Sequence, residues 1–207
     1  MIDFHVVLTA SLVCLAGVMS PGPNFVAVTH RAVTAPRSET LALVAGIACV
    51  SVLWSASALF GLGILFALFP WLFWTVKLLG AAYLVWLGLQ LLRQMRLPLA
   101  KDEARAAQTS LRHAFRQGML TNLANPKAMM FYASVFSAAV PAGATSATLA
   151  VIVAAVGAIA TVWYGSVALF LSGARANRLY RRGKPLIEGA CGVFLIGFGL
   201  RQALARP

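Results

Sequence analysis

Ser20-Pro21-Gly22-Pro23-Asn24 and Asn125-Pro126-Lys127 are the stretches that decide the fold. The first interrupts the opening apolar run of the chain, and the second interrupts the run from Phe115 to Val140. Proline lacks a backbone donor and its ring clashes with the preceding turn, so a helix through either stretch is broken there. Hydrocarbon cannot satisfy the carbonyls and amides that such a break frees, and a broken span survives only where it is buried in protein or lines a polar cavity. Interrupted hydrophobic segments at corresponding places in two halves of a chain point to a transporter's binding site.

Composition agrees. Hydrophobic residues make up 60% of the 207 residues and charged residues 11%, and the mean hydropathy is +0.83. A soluble surface cannot be built from this, so the expectation is an all-α integral membrane protein. The first apolar run begins with Asp3 and His5 rather than lysine or arginine and leads straight into the break; it reads as a retained span, not a signal peptide. Cys14, Cys49 and Cys191 each stand alone in apolar sequence. They read as small hydrophobes, with no disulfide framework and no metal site.

Runs long enough to cross about 30 Å of hydrocarbon occur at Phe4 to Thr29, Leu41 to Phe69, Trp71 to Leu92, Phe115 to Val140, Thr145 to Ser172 and Leu186 to Leu204. Phe69-Pro70-Trp71 and Pro141-Ala142-Gly143 suit tight turns between neighbouring spans. A polar linker separates two sets of three, which divides a single transmembrane domain into residues 1–92, a cytoplasmic linker 93–113, and residues 114–207.

Loops rich in lysine and arginine stay on the cytoplasmic side. Arg31 and Arg37, then Arg93, Arg96, Lys101, Arg105, Arg112 and Arg116, then Arg175, Arg178, Arg181, Arg182 and Lys184 all fall in alternate connections, and the two short turns opposite carry none. Six spans then put both termini outside; a re-entrant first segment would instead leave the N-terminus inside. The net charge of +12 and pI near 10.9 are thus a topology signal, reinforced by anionic membrane lipids. No nucleic-acid partner is expected, because the basic residues sit in short juxtamembrane loops with no binding module.

Three crossings per half start the second half from the opposite face, so repeats would be inverted. At one common offset Gly80 falls on Gly189 and Gly88 on Gly197, and Pro21 and Pro126 both break the first helix of their half. Helical rise places each break roughly 15 Å from the cytoplasmic boundary. The architecture expected is six transmembrane helices as two inverted three-helix repeats, each opening on a proline-broken helix.

Ser20-Pro21-Gly22-Pro23-Asn24-Phe25, then Lys77-Leu78-Leu79-Gly80-Ala81-Ala82-Tyr83-Leu84 with Leu87-Gly88, then Gly118, Asn122 and Asn125-Pro126-Lys127 resemble the LysE/RhtB family of bacterial amino-acid exporters, in order over nearly the whole chain. The resemblance implies a multi-pass protein of the cell inner membrane. It would export amino acids or derivatives such as homoserine, homoserine lactone, threonine or leucine, driven by proton exchange. Many relatives carry an acidic residue or histidine in the second or fifth helix, whereas these stretches hold Ser51, Trp54, Thr161, Trp163 and Tyr164. The sequence does not say which group carries the proton.

A zwitterion needs donors for its carboxylate and acceptors for its ammonium, and a broken helix supplies both. Amides of the helices that resume after Pro21, Gly22 and Pro23, and after Pro126, would take the carboxylate at a positive helix end. Carbonyls freed by the prolines would take the ammonium. Asn24, Asn122 and Asn125 either cap the resumed helices or contact substrate through their amides. Lys127, about 16 Å from the cytoplasmic boundary, is too deep to snorkel and should face a cavity or a partner. Lys77 either reaches the outer interface or joins the site. Tyr83 shares a face with Gly80 and serves either packing or the cavity. Glu188 lies one turn from Lys184 and reads as paired with that loop, and Asp3 and Glu39 read as interfacial. Gly80, Gly88, Gly189, Gly192 and Gly199 would let helices approach closely.

No catalytic residue or cofactor is expected: His5, His30 and His113 lie near segment ends and far apart in sequence, so no nucleophile is paired with a base. The spans hold too few carboxylates and soft ligands for a metal exporter, no paired cysteines for a thiol electron carrier, and no phosphate-binding loop for a pump. An exporter of another small solute is the main alternative. The sequence leaves homo-oligomerisation open.

Overall fold

The computed structural model describes residues 2–19, 22–59, 68–95, 110–125, 127–132, 140–141 and 143–204. Pro21, Pro126, most of the linker, and the side chain of Lys77 lie outside the described residues. Among those described there are helices and no strands: α1 (Phe4–Met19), α2 (Pro23–Thr34), α3 (Arg37–Leu59), α4 (Pro70–Met95), α5 (Leu111–Leu123), α6 (Ser146–Leu171) and α7 (Ala174–Leu204). Residues 127–132 are also helical.

Helices α3 and α6 are each long and apolar enough to cross a membrane, and α1 with α2 makes a third such span when the bent pair is taken together. The two meet at 60°. Gly22 precedes α2 in extended backbone and Pro23 opens the helix, where its missing N–H costs nothing. Asn125 follows the end of α5, and its carbonyl accepts from the amides of Ala128 and Met129 as the helix resumes. Both proline stretches therefore break helices, as expected. Phe4, Leu8, Leu12, Trp71, Leu79, Val162, Phe170, Leu186 and Leu204 are exposed. Such an apolar surface suits lipid and not water.

Starts and ends are set by ordinary chemistry. Asp3 Oδ1 accepts from the amides of His5 and Val6 at 3.1 Å, Ser110 Oγ from His113 N at 3.2 Å, and Thr145 Oγ1 from Thr148 N at 3.3 Å, each satisfying amides left open in a first turn. One expectation needs correction. The basic stretch Arg175 to Lys184 is no loop but the beginning of α7, which continues past Pro185 as one helix. Arginine and lysine are good helix formers, so a basic stretch does not by itself end a helix.

Two bodies of packing emerge. Val6, Ala10 and Cys14 of α1, Leu43, Ile47 and Val50 of α3, Met129 and Tyr132, and Ile152, Val156 and Ala160 of α6 form the larger core. Leu84, Leu87 and Leu91 of α4 with Leu195 of α7 form the smaller one, against which Val26 of α2 packs. Glycine permits the closest approaches. A Cβ at Gly118 would collide with the Leu43 carbonyl oxygen and one at Gly46 with that of Phe115, and a Cβ on Gly88 or on Gly192 would lie 2.7 or 2.8 Å from the other's carbonyl oxygen across α4 and α7.

Candidate substrate site

The two breaks meet. Asn24, in the first turn of α2, donates from Nδ2 to Asn122 Oδ1 at 3.0 Å, although the residues are 98 apart in sequence. A Cβ on Gly22 would lie 3.7 Å from Lys127 Nζ, and one on Gly17 would run into the Phe131 ring. Between them is a cavity lined by Gly17, Gly22, Asn24, Ser51, Lys127 and Tyr164, with Asn122, Asn125, Phe131 and Tyr132 completing its wall. Its free volume is ≈ 30 Å³, room for about two waters.

The three asparagines have different tasks. Asn122 is fully engaged: its Nδ2 donates to Ile47 O at 2.7 Å and to Ser51 Oγ at 3.0 Å, its Oδ1 accepts from Asn24, and its carbonyl accepts from Trp54 Nε1 at 3.4 Å. It braces α5 against α3. Asn125 caps the resumed helix, its Oδ1 taking Ala128 N at 3.4 Å. Asn24 is 5% exposed, and its Oδ1 is buried with no hydrogen-bond partner. A buried acceptor left open is costly, and here it borders the cavity.

Electrostatics favour an anion beside Lys127. Lys127 lies at the start of residues 127–132 and close to the start of α2, so an ammonium and two positive helix ends converge. Among the described residues, no aspartate or glutamate lines this cavity.

Of the residues singled out in the sequence, Gly22, Asn24, Asn122, Asn125 and Lys127 line the cavity, with Pro23 buried beside them. Tyr83 does not. It is half-buried beside the smaller core, its ring 5.8 Å from that of Trp86 and its hydroxyl facing Thr121. Lys77 belongs to α4, and its side chain lies outside the described residues. Sequence reasoning missed Gly17, Phe131 and Tyr132. Tyr132 is 3% exposed in a resumed helix otherwise read for its lysine. A tyrosine in a midplane segment was the available signal.

The sequence matches the family described as LysE type translocator over residues 15–206. The chain belongs to that family. Proteins similar to it include the threonine efflux protein of Escherichia coli strain K12, 34% identical over 204 residues that cover 96% of this chain and 98% of that protein. The threonine efflux protein of Salmonella typhimurium is 34% identical over 96% of this chain and 97% of its own. A Pseudomonas aeruginosa membrane protein of unassigned function is 35% identical over 91% and 90%. No solved structure matches. As a LysE type translocator, the chain is a membrane transport protein of the efflux kind and not an enzyme.

Proposed function

We propose that this translocator is a secondary exporter of small neutral amino acids, threonine among them, in the bacterial inner membrane, working by proton antiport. The observation that carries the reading is that Lys127, two helix starts and the open Asn24 Oδ1 meet at one cavity. The substrate carboxylate sits at Lys127 and the helix amides; the substrate ammonium donates to Asn24 Oδ1, helped by the hydroxyls of Ser51 and Tyr164. With no carboxylate lining the cavity among the described residues, a second positive charge on the substrate would go uncompensated, which argues against lysine or arginine as cargo. The identity to threonine efflux proteins supports the same class.

The packing also supports two inverted halves, residues 1–92 and 114–207 about the linker. Helix α5, which opens the second half, packs on α3 of the first, as α1, which opens the first half, packs on α6 of the second. Opening follows if α2 and residues 127–132 separate, since both line the site.

The test is efflux from cells preloaded with single amino acids, with and without the protein. Threonine and other neutral amino acids should leave faster in its presence, and lysine should not. Equal efflux of lysine and threonine would refute the charge argument.

A further inference from the structure

The polar groups of the cavity address what all amino acids share. Asn24, Ser51, Lys127 and Tyr164 can meet a carboxylate and an ammonium, and neither group tells one neutral amino acid from another. Discrimination falls to the surface that meets the substrate's side chain. Among the described lining residues, those without a polar side chain are Gly17, Val18, Gly22, Ala128 and Phe131, and Phe131 is the largest of them.

The place of its ring follows from the sequence on both sides. Val6, Ala10 and Cys14 are buried at helical spacing along α1, and Gly17 is the next position on that stripe. The side chain vanishes there. A Cβ on Gly17 would lie 2.5 Å from Cε2 and Cζ of Phe131, so the ring takes the room that any other residue at 17 would fill. The Tyr132 ring meets it edge-on, with the centroids 5.3 Å apart. On its own segment Phe131 stands one helical turn after Lys127, so both project from one face of residues 127–132. About 6 Å of helix axis separates them, comparable to the reach from a carboxylate to the tip of a medium-sized side chain.

We infer that Phe131, seated on Gly17, sets the size of the side chain that this protein accepts, an inference that rests on the exporter reading above. With the substrate carboxylate at Lys127, the ring stands one turn along the same face and bounds the space into which the side chain extends. Threonine's short side chain stops before the ring, whereas those of leucine and phenylalanine run into it. A misfit of one methylene in an apolar pocket is worth about 10–200-fold in discrimination. Gly17 leaves the ring its seat, and a side chain there would drive it into the cavity.

Purified protein in proteoliposomes preloaded with radiolabelled L-threonine or L-leucine tests this through the ratio of the two initial efflux rates. Wild type should favour threonine. Phe131→Ala, which removes a ring at least as large as the leucine side chain, should raise the leucine-to-threonine ratio by about tenfold or more. A purely structural role would slow both substrates together and leave the ratio where it was, which overturns the inference, as does wild-type protein that releases leucine as fast as threonine. If Phe131→Ala cannot be purified folded, Phe131→Leu decides alone by the same ratio. Gly17→Ala should block threonine efflux, and adding Phe131→Ala to it should restore the efflux; a double variant as inactive as Gly17→Ala overturns the seating of the ring. Wild-type protein that releases neither threonine nor any other neutral amino acid would instead overturn the exporter reading itself.

Discussion

Gly118→Ala is the sharpest perturbation of the frame that holds the site. A Cβ there meets the Leu43 carbonyl oxygen head-on, with Leu43 C at 2.9 Å and Ile47 N at 3.2 Å, and backbone cannot rotate aside as a side chain does. A carbon rests no closer than about 3.3 Å to a carbonyl oxygen, so α3 and α5 must part by about 1 Å. Such a shift carries the 2.7 Å bond from Asn122 Nδ2 to Ile47 O beyond hydrogen-bonding distance. Overpacking costs about 1–3 kcal/mol, and a lost interhelical hydrogen bond adds about 0.6 kcal/mol. The sum is about 2–4 kcal/mol, which should lower the melting temperature of the detergent-solubilised protein by roughly 5–10 °C. Export should fall with it, because Asn122 positions Asn24. Thermal unfolding followed by size-exclusion fluorescence reads the first effect and threonine efflux the second. A variant that melts and exports like wild type would refute the close-packed reading of this interface.

Arg31→Gln removes the partner that holds the buried Glu39 carboxylate at 2.7 Å, and breaking a buried pair costs about 3 kcal/mol or more; the same melting assay should show a loss that the double replacement Arg31→Gln with Glu39→Gln largely restores. Asn24→Ala and Asn122→Ala should differ in kind: the first abolishes export at near-normal abundance, whereas the second lowers abundance as well, which membrane immunoblots against efflux will separate. Single cysteines placed within residues 96–109 should resist a membrane-impermeant thiol reagent in intact cells, and rapid labelling from outside would reverse the orientation.

Much of the site was legible because proline and charge act locally. Proline breaks both apolar runs, so the breaks could be read from spacing, although α7 runs on through Pro185. Which of its two readings Asn125 fulfils, cap or contact, could not. Partners distant in sequence could not. Nothing near Asn122 says that its amide crosses to Ile47 and Ser51, and nothing near Glu188 says that His30 arrives from α2 to within 3.7 Å, because both contacts depend on how helices cross. Ser51 and Tyr164 stood out only as polar residues in spans; the structure places them in the cavity wall, whereas Thr161 bonds its own helix at Gly157 O. The basic start of α7 reads as a loop only when charge is taken for secondary structure, whereas arginine and lysine are good helix formers.

The central claim is that Lys127 holds the carboxylate of a zwitterionic substrate between two broken helices. Equilibrium binding of L-threonine and of threonine methyl ester to the purified protein, wild type and Lys127→Met, tests it most directly. Loss of one charge-assisted hydrogen bond of about 2 kcal/mol corresponds to roughly thirtyfold in affinity. Wild-type protein should bind threonine and discriminate against the ester, and Lys127→Met should bind threonine roughly thirtyfold more weakly with the discrimination gone. A Lys127→Met protein that is folded and binds threonine with wild-type affinity would contradict the account.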